Sequence, residues 1–164
     1  MKKEVAERIT NDEELNKKPK LVIVMGAVSV GKTMHRKKKY SNGYTHIDAG
    51  EIFIQLSEGN YYNFPSHLEE KMNQIGLNKM RESLNNRDNI VIEIIGVNYE
   101  LVKGLMDLAE KIDYSVVLQF IECDRDIAWQ RNINRDNDHI SAYFCEQYHT
   151  AWFEKSAIEY LNKI

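Results

Sequence analysis

The chain has 164 residues, of which 43% are hydrophobic and 29% are charged. This length predicts a single domain with one sizeable core rather than two ordinary domains. A net charge of -3 argues against a surface for duplex nucleic acid, because phosphate binding needs clustered, uncompensated Lys and Arg side chains. No apolar run approaches the roughly 18 residues of a membrane span, and two cysteines are too few for a disulfide scaffold. We therefore expect a cytoplasmic protein that binds neither duplex nucleic acid nor a membrane.

The first residues are strongly charged, and Pro19 closes this segment. We expect residues 1–19 to form a loosely attached leader and residues 20–164 to form the domain. Residues 21–25 are a continuous apolar run, rich in β-branched side chains, that ends at Gly26. Such a run is typical of a parallel strand covered on both faces, and it is the first predicted strand.

A glycine-containing turn follows this strand directly. Its spacing is Gly26-x4-Gly31-Lys32-Thr33, between the apolar strand and a predicted helix, which is the context that a phosphate-binding loop requires. Glycine permits backbone angles and a close approach that a Cβ would block, so successive N–H groups and the helix N-terminus can face a triphosphate. We predict that ATP or GTP binds along the whole turn, which consists of Gly26, Ala27, Val28, Ser29, Val30, Gly31, Lys32 and Thr33.

Two side chains of this loop have predicted chemical roles. Lys32 brings a positive charge to the β- and γ-phosphates, and the hydroxyl of Thr33 is a ligand for Mg2+. A guanine-specific GTPase carries an Asn-Lys-x-Asp stretch after a later strand, and this sequence has none. We expect ATP with Mg2+ as the cofactor, and GTP stays open as the alternative nucleotide.

A basic run lies just behind the loop. It consists of His35, Arg36, Lys37, Lys38 and Lys39. We interpret it mainly as a solvated helix face and, as the alternative, as a patch that steers an anionic substrate.

Three further strands are predicted along the rest of the chain. Residues 44–48 follow a Ser-Asn-Gly turn, residues 90–95 are rich in Ile and Val, and residues 114–122 form the longest run. Apolar residues recur between the strands at helical spacing. Examples are Leu68, Met72, Ile75 and Met80. Together with the phosphate loop, this alternation predicts an α/β, three-layer P-loop NTPase fold, with a mainly parallel sheet of four or five strands and helices on both faces.

Two carboxylates are candidates for the site. Asp48 ends the second strand, where it could accept the proton of a substrate hydroxyl or orient that hydroxyl; the alternative is an N-cap for a helix starting at Ala49. Glu93 stands in a strand otherwise built of Ile and Val, where an unpaired charge is costly to bury. It could hold Mg2+ through water near Thr33 or contact the substrate, or it could face solvent if its strand lies nearer the sheet edge.

From about Leu21 to Glu154, the sequence resembles small P-loop kinases of the zeta-toxin and polynucleotide-kinase type. The resemblance rests on the phosphate loop and on residues 44–48, 91–96 and 120–135. The phosphate loop is the specific motif among these, and the other three are weaker.

The resemblance implies roles for three residues. In that family an acidic residue after the second strand contacts the substrate hydroxyl, and arginines in a lid after the fourth strand clamp the phosphates. By position these would be Asp48, Arg131 and Arg135, with the lid at about residues 131–140. The alternative for the two arginines is a surface position where they pair with nearby aspartates. Many relatives also carry a second acidic residue or an arginine just downstream of Asp48, whereas this chain has Ala-Gly-Glu-Ile.

The function implied is an ATP-dependent kinase acting on a hydroxyl of a small molecule, a nucleotide or a nucleotide sugar. The resemblance to zeta toxins also leaves room for an antitoxin protein as a partner. Two alternatives stay open: a metabolite kinase of the gluconate or shikimate type, and a non-catalytic module that binds nucleotide through its phosphate loop.

Overall fold

The computed structural model describes residues 18–56, 58, 66–96 and 99–134. Most of the predicted leader and most of the predicted lid, including Arg135, therefore lie outside the described residues. The division into a leader and one domain stays a prediction.

Four strands and five helices make up the described part of the chain. The strands are β1 (Lys20–Met25), β2 (Thr45–Asp48), β3 (Ile90–Ile94) and β4 (Ser115–Phe120). The helices are α1 (Lys32–Lys39), α2 (Ala49–Leu56), α3 (Ser66–Asn86), α4 (Tyr99–Lys111) and α5 (Arg125–Ile133). Within these residues, no helix is both long and apolar enough to cross a membrane.

The four strands form one parallel sheet in the order β2-β3-β1-β4. Because all the strands are parallel, their C-terminal ends meet at one edge of the sheet, which we term the carboxyl edge. The chain passes over β3 on its way from β1 to β2, and over β1 on its way from β3 to β4. The strand order therefore switches between β1 and β3, and ligands of open α/β sheets bind at the carboxyl edge beside such a switch. The predicted α/β fold class is confirmed, and the part of the sheet within the described residues has four strands.

Alternate side chains of the strands face opposite layers, as the strand period of two requires. On one face, Ile23 and Ile92 are buried with Val102 of α4, and Met80 of α3 packs against them. On the other face, Val24 and neighbouring valines pack against aromatic residues at the end of α1 and after it. The sheet is thus covered on both faces, which explains why its central strands are almost entirely apolar.

The fourth strand is shorter than predicted. Regular pairing ends at Phe120, so β4 has six residues and is no longer than β1. Asp124 begins the next helix instead, since its carboxylate accepts hydrogen bonds from the backbone N–H groups of Asp126 and Ile127. After Phe120 the chain leads into the helix that Asp124 caps. The predicted strand therefore extends two residues too far.

Candidate functional site

The turn between β1 and α1 is the predicted phosphate-binding loop, and its backbone has several residues in unusual conformations. Three of its residues have positive φ: Gly26 at 152°, Ser29 at 64° and Gly31 at 107°. Backbone with such alternating conformations can direct successive N–H groups toward an anion. Gly31 also stands at the N-terminus of α1, where the helix dipole favours negative charge.

Gly26 is required by close packing as well as by its backbone angle. A Cβ at this position would lie 2.4 Å from the carbonyl oxygen of Ile121 and 2.9 Å from Cγ2 of Val30. The segment after β4 therefore passes directly against the loop. The first glycine of the motif allows this contact, and a larger residue there would displace the loop.

Apolar side chains anchor the middle of the loop. Ala27, Val28 and Val30 are buried with Ala128 of α5. The loop is therefore held by side-chain packing beneath it, whereas Ser29 and Gly31 line an open cavity.

A cavity of about 200 Å3 lies over the loop and is lined by Ser29, Gly31, Lys32, Thr33 and Arg131. The ammonium group of Lys32 donates to the carbonyl oxygens of Gly26 at 2.7 Å and Ala27 at 2.8 Å. Two cationic side chains from different elements thus face one cavity at a helix N-terminus. This arrangement suits a polyphosphate, because fixed positive charge and backbone donors converge on the same space.

Helix α5 brings Arg131 to the loop. Nη1 of Arg131 donates to the carbonyl oxygen of Val30 at 3.3 Å and to Sγ of Cys123 at 3.4 Å. The adjacent residue, Asn132, is fully buried and accepts a hydrogen bond from the Ser29 hydroxyl at 3.2 Å. Arg131 therefore reaches the predicted phosphate site. Arg135 lies outside the described residues, and its role stays a prediction.

Thr33 and Glu93 form the candidate magnesium site. The Thr33 hydroxyl donates to Oε2 of Glu93 at 2.8 Å, and Glu93 is only 6% exposed. Its strand lies inside the described sheet, so the alternative of a solvent-facing carboxylate at an edge does not apply. Because the hydroxyl uses its proton on Glu93, its lone pairs can face a cation, and oxygen ligands are those that Mg2+ prefers. The two residues therefore fit the metal.

Mg2+ in phosphate sites keeps several waters and takes few protein ligands. Among the described residues, no group of three or more His, Cys, Asp or Glu side chains suited to a metal is found.

Asp48 lies beside Glu93, its register partner in the β2–β3 pair. Oδ1 accepts from the N–H groups of Gly50 at 2.8 Å and Glu51 at 3.3 Å, so Asp48 caps the start of α2. The capping alternative is therefore what this geometry shows, and Asp48 is not among the residues that line the cavity. Burial, followed by the negative charges of Glu93 and Glu51, raises the pKa of Asp48 above its usual range.

Arg36 is the residue that the sequence interpretation missed. The basic run was interpreted as a solvated face, which is wrong for Arg36: this residue is 2% exposed, whereas Lys37, Lys38 and Lys39 are exposed. We use the term Arg36 cluster for Arg36 and its partners. The partners are His46, Asp48, Glu51 and Glu93.

The contacts of Arg36 explain its burial. Nε donates to Oε1 of Glu93, Nη2 donates to Oε1 of Glu51 at 2.8 Å, and Nη2 lies 3.7 Å from Oδ2 of Asp48. Burial opposes the charge on Arg36, but the hydrogen bonds and charges of Glu93 and Glu51 outweigh it and raise the pKa of Arg36.

A signal for this cluster was present in the sequence. Thr33 and Arg36 are three residues apart on a helix, so they share a face. His46 and Asp48 are two apart on a strand and also share a face. These spacings place Arg36 on the same side of α1 as the predicted magnesium ligand.

Three solved structures share this fold. A chain of the Pnkp1/Rnl/Hen1 RNA repair complex has a TM-score of 0.66 at 15% identity, over 85% of this chain and 46% of that one. A chain of the PezAT chromosomal toxin–antitoxin system of Streptococcus pneumoniae has a TM-score of 0.57 at 17% identity, over 87% and 66%. A Chloroflexus aurantiacus protein, provisionally named a kinase, has a TM-score of 0.53 at 13% identity, over 88% and 97%.

This chain thus spans less than half of the first of these proteins and about two thirds of the second. No protein-family model and no curated protein matches the sequence. At such low identities the structural likeness shows the fold alone. The resemblance to the zeta-toxin and polynucleotide-kinase type is thus confirmed at the level of the fold.

Proposed function

We propose that the protein is an ATP-dependent phosphotransferase that uses Mg2+ and transfers the γ-phosphoryl group to a hydroxyl of a small molecule, a nucleotide or a nucleotide sugar. The observation that carries this proposal is the cavity over the phosphate loop, where Lys32 of α1 and Arg131 of α5 line one space. Phosphoryl transfer depends chiefly on positioning and on neutralising charge at the γ-phosphoryl oxygens.

In this proposal, Lys32 and the loop N–H groups hold the phosphates. Thr33 and Glu93 hold Mg2+, whose charge neutralises the phosphate oxygens when it is bound. Arg131 stabilises charge as the phosphoryl group moves. Asp48 orients the acceptor hydroxyl or takes its proton. Burial and the nearby carboxylates raise the pKa of Asp48 from its ordinary value.

The experiment is a screen of hydroxyl-bearing acceptors with labelled ATP and Mg2+, followed by identification of the phosphorylated product. Sugars, nucleotides, nucleotide sugars and nucleic-acid ends form the first panel. Lys32→Ala protein serves as the control for contaminating kinases. Product that appears with both proteins, or no Mg2+–nucleotide binding at millimolar ligand, would count against the proposal.

A second candidate, a non-catalytic nucleotide-binding module, is favoured by one observation. Asp48 caps α2 and pairs with Arg36, and it does not line the cavity. Tight Mg2+–ATP binding without transfer to any acceptor would support this candidate. An antitoxin partner stays a prediction, which co-purification from the source cell would test.

A further inference from the structure

Arg36 and Thr33 divide one carboxylate between them. Thr33 Oγ1 donates to Oε2 of Glu93, and Nε of Arg36 donates to Oε1. The orientation of Glu93 therefore depends on both residues. If Glu93 rotated, the Thr33 hydroxyl would lose the acceptor that orients it.

The other contacts of Arg36 hold its guanidinium group in place. Nη1 bonds to Nδ1 of His46 at 2.8 Å, and Nε2 of the same ring bonds to the carbonyl oxygen of Tyr40 at 2.6 Å. Nη2 bonds to Glu51. A planar guanidinium group that donates in three directions cannot turn without losing several bonds, whereas an ammonium group is a compact point charge on a flexible stem.

We propose that Arg36 is a positioning residue for the metal: through Glu93, it holds the Thr33 hydroxyl in the orientation that binds Mg2+ together with the nucleotide. The inference rests on the proposed binding of Mg2+–ATP. Arg36 is buried behind Thr33 and does not line the cavity, so its effect passes through Glu93 rather than through contact with phosphate. Residues that orient metal ligands in this way strongly affect metal affinity.

The test measures ATP affinity by calorimetry over a series of Mg2+ concentrations, and again in EDTA. The variants are Arg36→Lys and Glu93→Gln, and the control is Lys37→Met, which removes an exposed charge beside Arg36. Arg36→Lys should raise the Mg2+ concentration needed for the half-maximal gain in affinity by about tenfold. Its affinity in EDTA should stay close to that of the wild type, because the groups that contact phosphate are intact.

The double variant Arg36→Lys/Glu93→Gln should require no more Mg2+ than Glu93→Gln alone, since Arg36 acts through Glu93. If Arg36→Lys does not fold, Glu51→Gln replaces it: this variant weakens a half-exposed partner that holds the guanidinium group and leaves Glu93 intact, and it should also raise the Mg2+ requirement. An unchanged Mg2+ requirement, or equal losses with Mg2+ and in EDTA, would overturn the positioning role while leaving nucleotide binding intact. Wild-type protein that binds no Mg2+–ATP would overturn both proposals.

Discussion

The phosphate loop and the Arg36 cluster lie side by side at the carboxyl edge of the sheet, but they are assembled differently. The loop is one continuous stretch, residues 26–33, and its conformation follows from its own glycines and its packing. The cluster draws its side chains from α1, β2, α2 and β3. A local motif can be identified by its spacing, whereas a cluster built from four elements depends on the strand order that brings them together.

The largest effect is expected on stability, when the cationic side chain of Arg36 is removed from the Arg36 cluster. Arg36→Met leaves Glu93 buried without its partner, and loss of one member of a buried ion pair costs about 3–5 kcal/mol of the free energy of unfolding. Urea denaturation measures this change. Lys37→Met is the matched control and should have little effect. Equal stability of the two variants would show that the buried network is not a structural element, and adding Glu93→Gln to Arg36→Met should recover part of the loss.

On the loop side, removal of the cation should affect function rather than folding. Lys32→Ala should lower turnover by roughly 100- to 1,000-fold, because a donor aimed at the transferring group is lost. Lys32 is only partly buried, so the melting temperature should change little. Calorimetry with ATP and a transfer assay measure the two effects. The control is Lys38→Ala, which removes an exposed lysine on the same helix. If Lys32→Ala bound nucleotide as tightly as this control, the loop would be a structural turn and not a phosphate site.

Asp48 tests whether the two regions work together. Asp48→Asn keeps an oxygen that can cap α2 but removes the carboxylate, so transfer to the acceptor should fall by about 100-fold. ATP affinity should remain nearly unchanged, since Asp48 does not line the phosphate cavity. The rate of transfer and the binding constant for ATP, measured on the same preparations, separate the effect on the acceptor from the effect on the nucleotide. If the rate of transfer did not fall, Asp48 would act only as a helix cap, and its proposed role toward the acceptor would be wrong.

A smaller effect is expected from the arginine that reaches the loop from α5. Arg131→Ala should lower turnover by about tenfold and ground-state ATP affinity by less, because its charge matters most as the phosphoryl group transfers. Arg125→Ala, an exposed arginine on the same helix, is the control and should change neither. Equal losses in binding and turnover would indicate that Arg131 clamps the ground state instead.

The sequence by itself determined the loop, the four strands and the parallel class of the sheet. Strict spacing around Gly26 and Gly31 and continuous apolar runs are local signals, because backbone angles and strand burial depend on near neighbours. The apolar pattern misplaced the end of the fourth strand, which stops at Phe120, before the helix that Asp124 caps.

Only the tertiary structure decided the environment of the charges. The order β2-β3-β1-β4 places Asp48 beside Glu93, and Arg36 contacts both. One residue of the basic run is therefore the centre of a buried network, while the lysines that follow it stay exposed. Helical spacing predicts which charged side chains share a face of a helix. Whether such a charge is buried depends on partners from distant segments, because only these partners compensate the cost of its desolvation. Those partners meet only when the sheet forms.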